Sequence, residues 1–242
     1  ADRGAEEACQ RMAGEIDKLL EDAGTTKEQV ARVGLATPGP IDIENGILLT
    51  PGNLPKWWNF PLRDRVSELS GLPVRYSNDA NAAAFGEFWR GTGKEVHSMV
   101  LFTLGTGVGG GIVIGDVLVE GVHSCGSECG HILIDPSPDA RKDSLGNTGS
   151  LESYCGSYGV TGRAQDALDA GRPSSLSEIS KSRPLEPLDI AEAAEAGDEL
   201  AREVVMDTAY YLGLGIVTLT HVVDPDNIVL GGAMTFGGAG HP

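Results

Sequence analysis

Two segments of the chain combine residue types that could do chemistry with neighbours that would present them. Asp79 follows Asn78 where a strand-like run, Pro73 to Tyr76, gives way to the helix-forming run Ala80-Asn81-Ala82-Ala83-Ala84. A carboxylate in the first turn of a helix is held ionised by the helix dipole. The same pair also suits plain capping of the helix, and the two roles are compatible. The run Leu104-Gly105-Thr106-Gly107-Val108-Gly109-Gly110-Gly111 offers the complementary chemistry. It stands between two aliphatic, strand-forming runs, so its bare backbone N–H groups can line a concavity that suits an anion such as phosphate.

Two common glycine-loop readings fail on context. Residues 105–110 match G-x-G-x-x-G, but that dinucleotide fingerprint needs a helix opening after the loop. Here Ile112-Val113-Ile114 continues as strand. A Walker loop fails because no Lys-Ser or Lys-Thr follows. Further polar groups lie downstream in Glu128-Cys129-Gly130-His131 and Gly149-Ser150-Leu151-Glu152. Taken alone, Glu152 reads as an exposed acid at a helix start and His131 as a satisfied core histidine.

These residues need a scaffold, and the hydrophobic pattern supplies one. Cys9, Met12, Ile16 and Leu19 recur at helical spacing and predict an amphipathic helix over 3–22. Val33 to Ala36 reads as a strand ended by the turn Thr37-Pro38-Gly39-Pro40. Pro61 starts a short helix closed by Gly71. Ile132-Leu133-Ile134 reads as a strand, 151–171 as helical, and 172–187, rich in Ser and Pro, as a surface excursion. A long helix is expected over about 198–221, with an end near Leu212–Val217 apolar enough all round to be buried. Ile228-Val229-Leu230 then forms a strand ending at Gly231-Gly232-Ala233. Gly91-Thr92-Gly93 suggests a hinge, hence two α/β domains, 1–92 and 93–242, with ligand at strand carboxyl ends.

Composition sets outer limits. The 242 residues are 40% hydrophobic and 22% charged, which describes a folded chain able to bury a core. A formal charge of −17 opposes nucleic acid and anionic membrane as partners. No run approaches the length of a spanning helix and no signal-peptide pattern stands out. Four cysteines in a chain this long do not read as a disulfide framework, so a reducing cytoplasm is expected.

The order of these motifs, Asn78-Asp79-Ala80-Asn81-Ala82-Ala83-Ala84, then the 104–111 loop, then Glu128-x-Gly130-His131 and Glu152, resembles the ROK family of bacterial sugar kinases, repressors and open reading frames. Glucokinase-type members are most similar, over about Val33 to Ala233. The resemblance implies a two-lobed actin/hexokinase-like (ribonuclease H-like) ATPase fold with sugar in the interdomain cleft. It implies Asp79 as the general base and Asn53, Asn78, Asp79, Glu128, His131 and Glu152 as sugar-binding residues. Gly105, Thr106, Gly107, Gly231 and Gly232 would bind ATP, with Mg²⁺ as its companion ion. Homodimerisation is a further family expectation. Phosphorylation of glucose at carbon 6 is the expected reaction, with fructose and N-acetylmannosamine as rival substrates. A sugar-sensing transcription regulator would need an upstream helix-turn-helix, which this sequence does not display, and a sugar-binding module would need no catalysis.

Two departures from the family pattern matter. Many members hold a structural zinc with the histidine and three cysteines of a C-x-C-G-x-x-G-C-x-E run. Alignment on Gly146, Gly149 and Glu152 puts Asp143, Leu145 and Ser150 at the cysteine positions, so no zinc of that type is expected. An alternative set of Cys125, Cys129, His131 and Cys155 matches no standard zinc spacing. Ser127 also stands where glycine is usual. The second departure is that nothing before Val33 resembles the family's Asp-x-Gly-Gly-Thr phosphate motif. The chain starts at Ala1 without Met, and the retained Asp79 and glycine loop favour a missing segment over a lost activity.

Overall fold

The computed structural model describes residues 4–52 and 54–235. Its internal contacts form two compact units, Ala1–Ala83 with Glu120–Gly126, and Ala84–Val119 with Ser127–Pro242.

The first unit contains α1 (Ala5–Asp22), β1 (Val33–Thr37), the short pair β2 (Ile41–Asp42) and β3 (Ile47–Leu48), α2 (Leu62–Ser70), β4 (Val74–Asn78) and the opening of α3 (Asp79–Arg90). Strands β1 and β4 pair in parallel from Val33 opposite Val74 to Thr37 opposite Asn78. Parallel neighbours need a crossover, and α2 lies in it, packed on α1. Cys9, Leu62, Val66, Ile41, Leu48 and Tyr76 make the buried cluster, with Met12 and Ile16 against it, as the helical spacing predicts. Leu19 continues that spacing yet is 65% exposed. Helix α1 is 18 residues long and its partner α2 only 9, so the last turn overhangs. The segment 120–126 is tied in through Ile43 N–H to Ser124 Oγ, 3.0 Å, and Ser77 Oγ–H to Glu120, 3.2 Å.

The second unit holds β5 (Ser98–Leu104), β6 (Val108–Ile114), β7 (Val117–Leu118), α4 (Leu151–Cys155), α5 (Ser157–Asp169), α6 (Leu176–Ser182), α7 (Pro187–Glu195), α8 (Glu199–Val223) and β8 (Asn227–Gly231). The sheet order is β7-β6-β5-β8, antiparallel except for β5 with β8. Alternation along β5 buries both faces. Val100, Phe102 and Leu104 meet Leu151, Tyr154 and Leu212 of α4 and α8, while Met99 and Leu101 meet Ala84 and Phe88 of α3. A second cluster fills the space among α5, α6, α7 and α8, with Leu176, Ile190 and Leu200 almost wholly buried.

Three sequence expectations are corrected. Ile132–Ile134 is not a strand: a 3-10 turn at Cys129–His131 leads into one isolated bridge, Leu133 with Ser150. The partner segment pairs with itself instead, Lys142 opposite Thr148, leaving little edge for a ladder. Within 172–187, Leu176–Ser182 is helical, because Leu176 is fully buried and anchors the turn. The apolar end of α8 is only half covered: Leu212 and Leu219 are buried but Val217 is 56% exposed. At that end, the face carrying Leu212 and Leu219 joins the α4 and sheet cluster, and Val217 is turned away from it.

Candidate active site

The first unit contributes a helix start at a strand's carboxyl end. β4 runs straight into α3, and Asn78 makes the cap, its Oδ1 accepting from Ala80 N–H at 2.9 Å and Asn81 N–H at 3.1 Å. This leaves Asp79 largely relieved of capping; it is exposed, with one oxygen accepting from Ala80 N–H at 2.9 Å. An anionic oxygen at a helix N-terminus, beside the carboxyl ends of two parallel strands, stands where α/β sheets place ligand chemistry. Asn78 is nearly buried and Thr37, its neighbour across the strand pair, shares a 2.7 Å hydrogen bond with the Tyr76 hydroxyl. Burial of that phenol pushes its pKa up.

The glycine loop lies in the second unit, between β5 and β6, and is braced from beneath. Glu152 is 7% exposed, and its Oε2 accepts from Val108 N–H at 3.0 Å. Its Oε1 accepts from the hydroxyls of Ser144, 2.7 Å, and Tyr158, 2.9 Å. A Cβ on Gly107 would fall 2.1 Å from Glu152 Oε2, so only glycine lets the loop approach this carboxylate. Gly105 N–H donates to Gly107 carbonyl at 3.0 Å, and Ser157 N–H, at the start of α5, donates to Gly105 carbonyl at 2.9 Å. The cradle is therefore narrower than the sequence alone implies. Within the bend, the N–H groups of Thr106 and Gly107 are the ones without an acceptor among the described residues.

Next to it, the Glu128–His131 turn packs directly on β6. A Cβ on Gly130 would lie 1.8 Å from the Val108 carbonyl oxygen, so this glycine sets the contact. Ser127 takes a left-handed φ of 65°, a conformation glycine adopts without strain. Its hydroxyl offsets the cost by bridging Ile112 N–H at 3.2 Å and Val119 carbonyl at 2.8 Å. His131 donates or accepts through Nδ1 to Asp143 Oδ2 at 2.9 Å and keeps about a quarter of its side chain exposed, 24%. Asp143 is wholly covered. Burial opposes its ionisation, yet hydrogen bonds from Asn147, Ser150 and His131 hold its carboxyl below the usual range. Cys129 and Cys155 are buried nearby in sequence-distant parts of the same cluster, and burial pushes both thiols up to about 12. Buried thiols of this kind are poor nucleophiles at neutral pH.

A pocket of about 380 Å³ opens beside the loop, lined by Gly105, Thr106, Ser157, residues 186–188, Ala233 and Met234. Two helix starts, those of α5 and α7, border it. Gly231 closes β8, and Gly232, at a φ of 101°, packs on the backbone of Leu104. The sequence reading missed Ser157 and residues 186–188, because nothing local marks a helix start as facing a loop fifty or eighty residues upstream. Pro187 after Glu186 was the available signal, since proline favours a helix's first turn.

The structure thus gathers Glu152, His131 and the loop 105–107 within the second unit, and holds Asn78 and Asp79 together in the first. Glu128 is exposed at the start of its turn. Asn53 lies outside the described residues. Among the described residues no group of three or more His, Cys, Asp or Glu side chains could hold a metal ion, and no helix is long and apolar enough to cross a membrane.

Comparison with known proteins places this architecture. The family model described as the ROK family matches residues 2–238. A glucokinase from Halalkalibacterium halodurans is 37% identical over 94% of this chain and 68% of its own length. A xylose repressor from Caldicellulosiruptor bescii is 30% identical over 92% of this chain, which spans 55% of the repressor. Among solved structures, a ROK hexokinase from Thermus thermophilus superposes with a TM-score of 0.81 at 30% identity, covering 97% of this chain and 72% of that one. A ROK glucokinase from Streptomyces griseus, solved in complex with glucose and AMPPNP, gives a TM-score of 0.71 at 31% identity over 90% of this chain and 71% of that one.

Proposed function

The chain belongs to the ROK family, with the α/β fold of the ROK hexokinases, and on that premise we propose that it acts as an ATP-dependent glucokinase, moving the γ-phosphoryl group of ATP to the carbon-6 hydroxyl of glucose. The observation that carries this reading is the exposed Asp79 carboxylate at the N-terminus of α3, relieved of capping by Asn78. Phosphoryl transfer asks the protein for positioning and charge stabilisation more than for covalent chemistry. Asp79 accepts the proton of the sugar hydroxyl as its oxygen attacks in line, and ADP departs on the opposite side. Asn53, Asn78, Glu128, His131 and Glu152 hydrogen-bond the remaining hydroxyls. The bend of Gly105, Thr106 and Gly107 receives phosphate oxygens, while Gly231 and Gly232 let adenine and ribose approach the backbone.

Mg²⁺ enters with ATP and neutralises phosphate charge. It would need only one or two protein carboxylates. We place the protein in the cytoplasm, as a homodimer. The exposed apolar side chains Met206, Tyr210 and Val217, spaced along α8, support a second copy as their cover.

A sugar-responsive regulator is the second reading, favoured by the similarity to the xylose repressor. A formal charge of −17 weighs against it, since DNA binding draws its affinity from positive charge on phosphates. The test is a coupled assay of the full-length protein with ATP, Mg²⁺ and a panel of glucose, fructose and N-acetylmannosamine. Glucose is expected to give the highest kcat/KM. A folded protein that phosphorylates none of them rejects the kinase reading, and preference for another hexose reassigns the substrate.

A further inference from the structure

The family's zinc does not fit this chain, and what stands in its place has a definite geometry. Zinc of that type needs four ligands, three of them thiolates. Of the three aligned positions, Leu145 offers no donor and is 65% exposed, and Ser150 is buried as the cap of α4, its Oγ accepting from Ser153 N–H. Only Asp143 could ligate, and its carboxylate is already occupied. Oδ1 accepts from Leu145 N–H at 3.0 Å and Asn147 N–H at 2.8 Å. Oδ2 accepts from Asn147 Nδ2 at 3.1 Å and meets His131 Nδ1 at 2.9 Å. With the Ser150 hydroxyl also hydrogen-bonded to it, these partners take up the lone-pair directions of the carboxylate and leave none for a cation.

We propose that Asp143 is a positioning residue that replaces the zinc: it ties the 141–149 hairpin together and fixes His131 with its proton on Nδ1, leaving Nε2 as the acceptor offered to the sugar. An ionised carboxylate only accepts, so the shared hydrogen must come from the imidazole. In a zinc site the metal takes one ring nitrogen, whereas here the same ring is oriented by a hydrogen bond, as partners around metal centres orient their histidines. The hub also reaches Glu152. Ser144, the next residue, donates to Glu152 Oε1 at 2.7 Å, and its N–H donates to Tyr158 hydroxyl at 3.0 Å. Glu152 in turn holds Val108 N–H of the glycine loop. Asp143 therefore sets two of the proposed sugar-binding groups at once. The naming of a sugar as the ligand rests on the kinase reading; the tautomer and the absence of zinc do not.

The test uses full-length protein labelled with ¹⁵N-histidine, His131 being assigned by comparison with His131→Gln. Wild-type His131 should carry its proton on Nδ1 in long-range ¹H–¹⁵N spectra, metal analysis should find zinc well below one per chain, and a chelator should leave Tm unchanged. In Asp143→Asn the amide can no longer accept at all four sites, and the ring proton should move to Nε2. The KM for glucose should then rise roughly tenfold, the loss of about one hydrogen bond, with kcat changed less. A proton on Nε2 in the wild type, stoichiometric zinc, or an Asp143→Asn protein with unaltered tautomer and KM would each overturn the proposal. The wild-type spectra and metal content decide the matter even if the variant does not fold. If no hexose is phosphorylated while the tautomer and metal results hold, it is the kinase reading that fails and not the hub.

Discussion

At the scale of single residues, the division of labour between Asn78 and Asp79 is the most consequential detail. A cap needs one good acceptor, and Asn78 Oδ1 already serves two N–H groups, so the neighbouring carboxylate is not needed to hold α3. Replacing Asp79 by Asn should therefore leave the fold and glucose KM nearly unchanged while kcat drops about 10²- to 10⁴-fold. Steady-state kinetics with matched unfolding curves will show this; a variant that keeps its kcat would strip Asp79 of its role as base. The glycine loop allows a paired comparison. A methyl group at 107 would sit 2.1 Å from Glu152 Oε2, whereas at 105 it would meet nothing within 4 Å. Gly107→Ala should cost about 1–3 kcal/mol through the displaced, buried carboxylate. Gly105→Ala should keep its urea midpoint near that of the wild type. Asp79 and both glycines were legible in the sequence because strand-to-helix and strand-to-strand junctions leave local signatures. The engagement of Glu152 by Val108, Ser144 and Tyr158 was not, since it depends on how α4 docks under the loop.

At the scale of elements, the second unit shows why a Ser- and Pro-rich stretch can be helix rather than loop. Ser174 and Ser175 face a partner far along the chain. Asp198, the cap of α8, accepts from Ala201 N–H with Oδ1, and with Oδ2 from Ser174 Oγ at 2.9 Å, Ser175 N–H at 2.6 Å and Ser175 Oγ at 2.8 Å. One carboxylate thus joins the starts of α6 and α8. The hydrophobic pattern puts the start of the long helix near 198, but polar residues awaiting a distant acceptor look the same as solvated ones. Burial acts against ionisation of Asp198, yet these hydrogen bonds bring its pKa down to about 2. A depressed folded-state pKa stabilises above the unfolded value near 3.8, and the benefit is lost as pH falls toward 2. Asp198→Ala should accordingly be less stable by about 1–2 kcal/mol at pH 7. The gap to wild type should be unchanged down to about pH 5 and close between about pH 4 and 2. Denaturant titrations of both proteins across that range measure it directly; a gap independent of pH would mean that packing, not charge, makes the joint.

At the scale of the whole molecule, the two units rest on contacts that local sequence does not report. A strand–helix alternation can be read from hydrophobic periods, but the return of 120–126 to the first unit depends on contacts such as Ile43 with Ser124, 81 residues apart, and Ser77 with Glu120, 43 apart. Nothing in the local composition of 120–126 reports partners at that distance. Charge, by contrast, is fully legible, and it sets a global property. Thirty-five acidic side chains face 18 basic ones, a formal −17. Pairs such as Arg65 with Glu6 and Arg172 with Glu203 use up several of the scarce cations. Exposed pairs of this kind contribute little and are screened by salt. The surplus anions repel across the surface, and folding brings them closer together than they are in the extended chain. The two effects of salt oppose each other, and the excess of like charges makes repulsion the larger. Raising NaCl from about 10 to 150 mM cuts the screening length from about 30 to 8 Å, within reach of most surface neighbours. Tm should therefore climb by several degrees over that interval and level off beyond it, with choline chloride giving the same curve. A fall in Tm across the same titration would mean that attractive pairs outweigh the net charge.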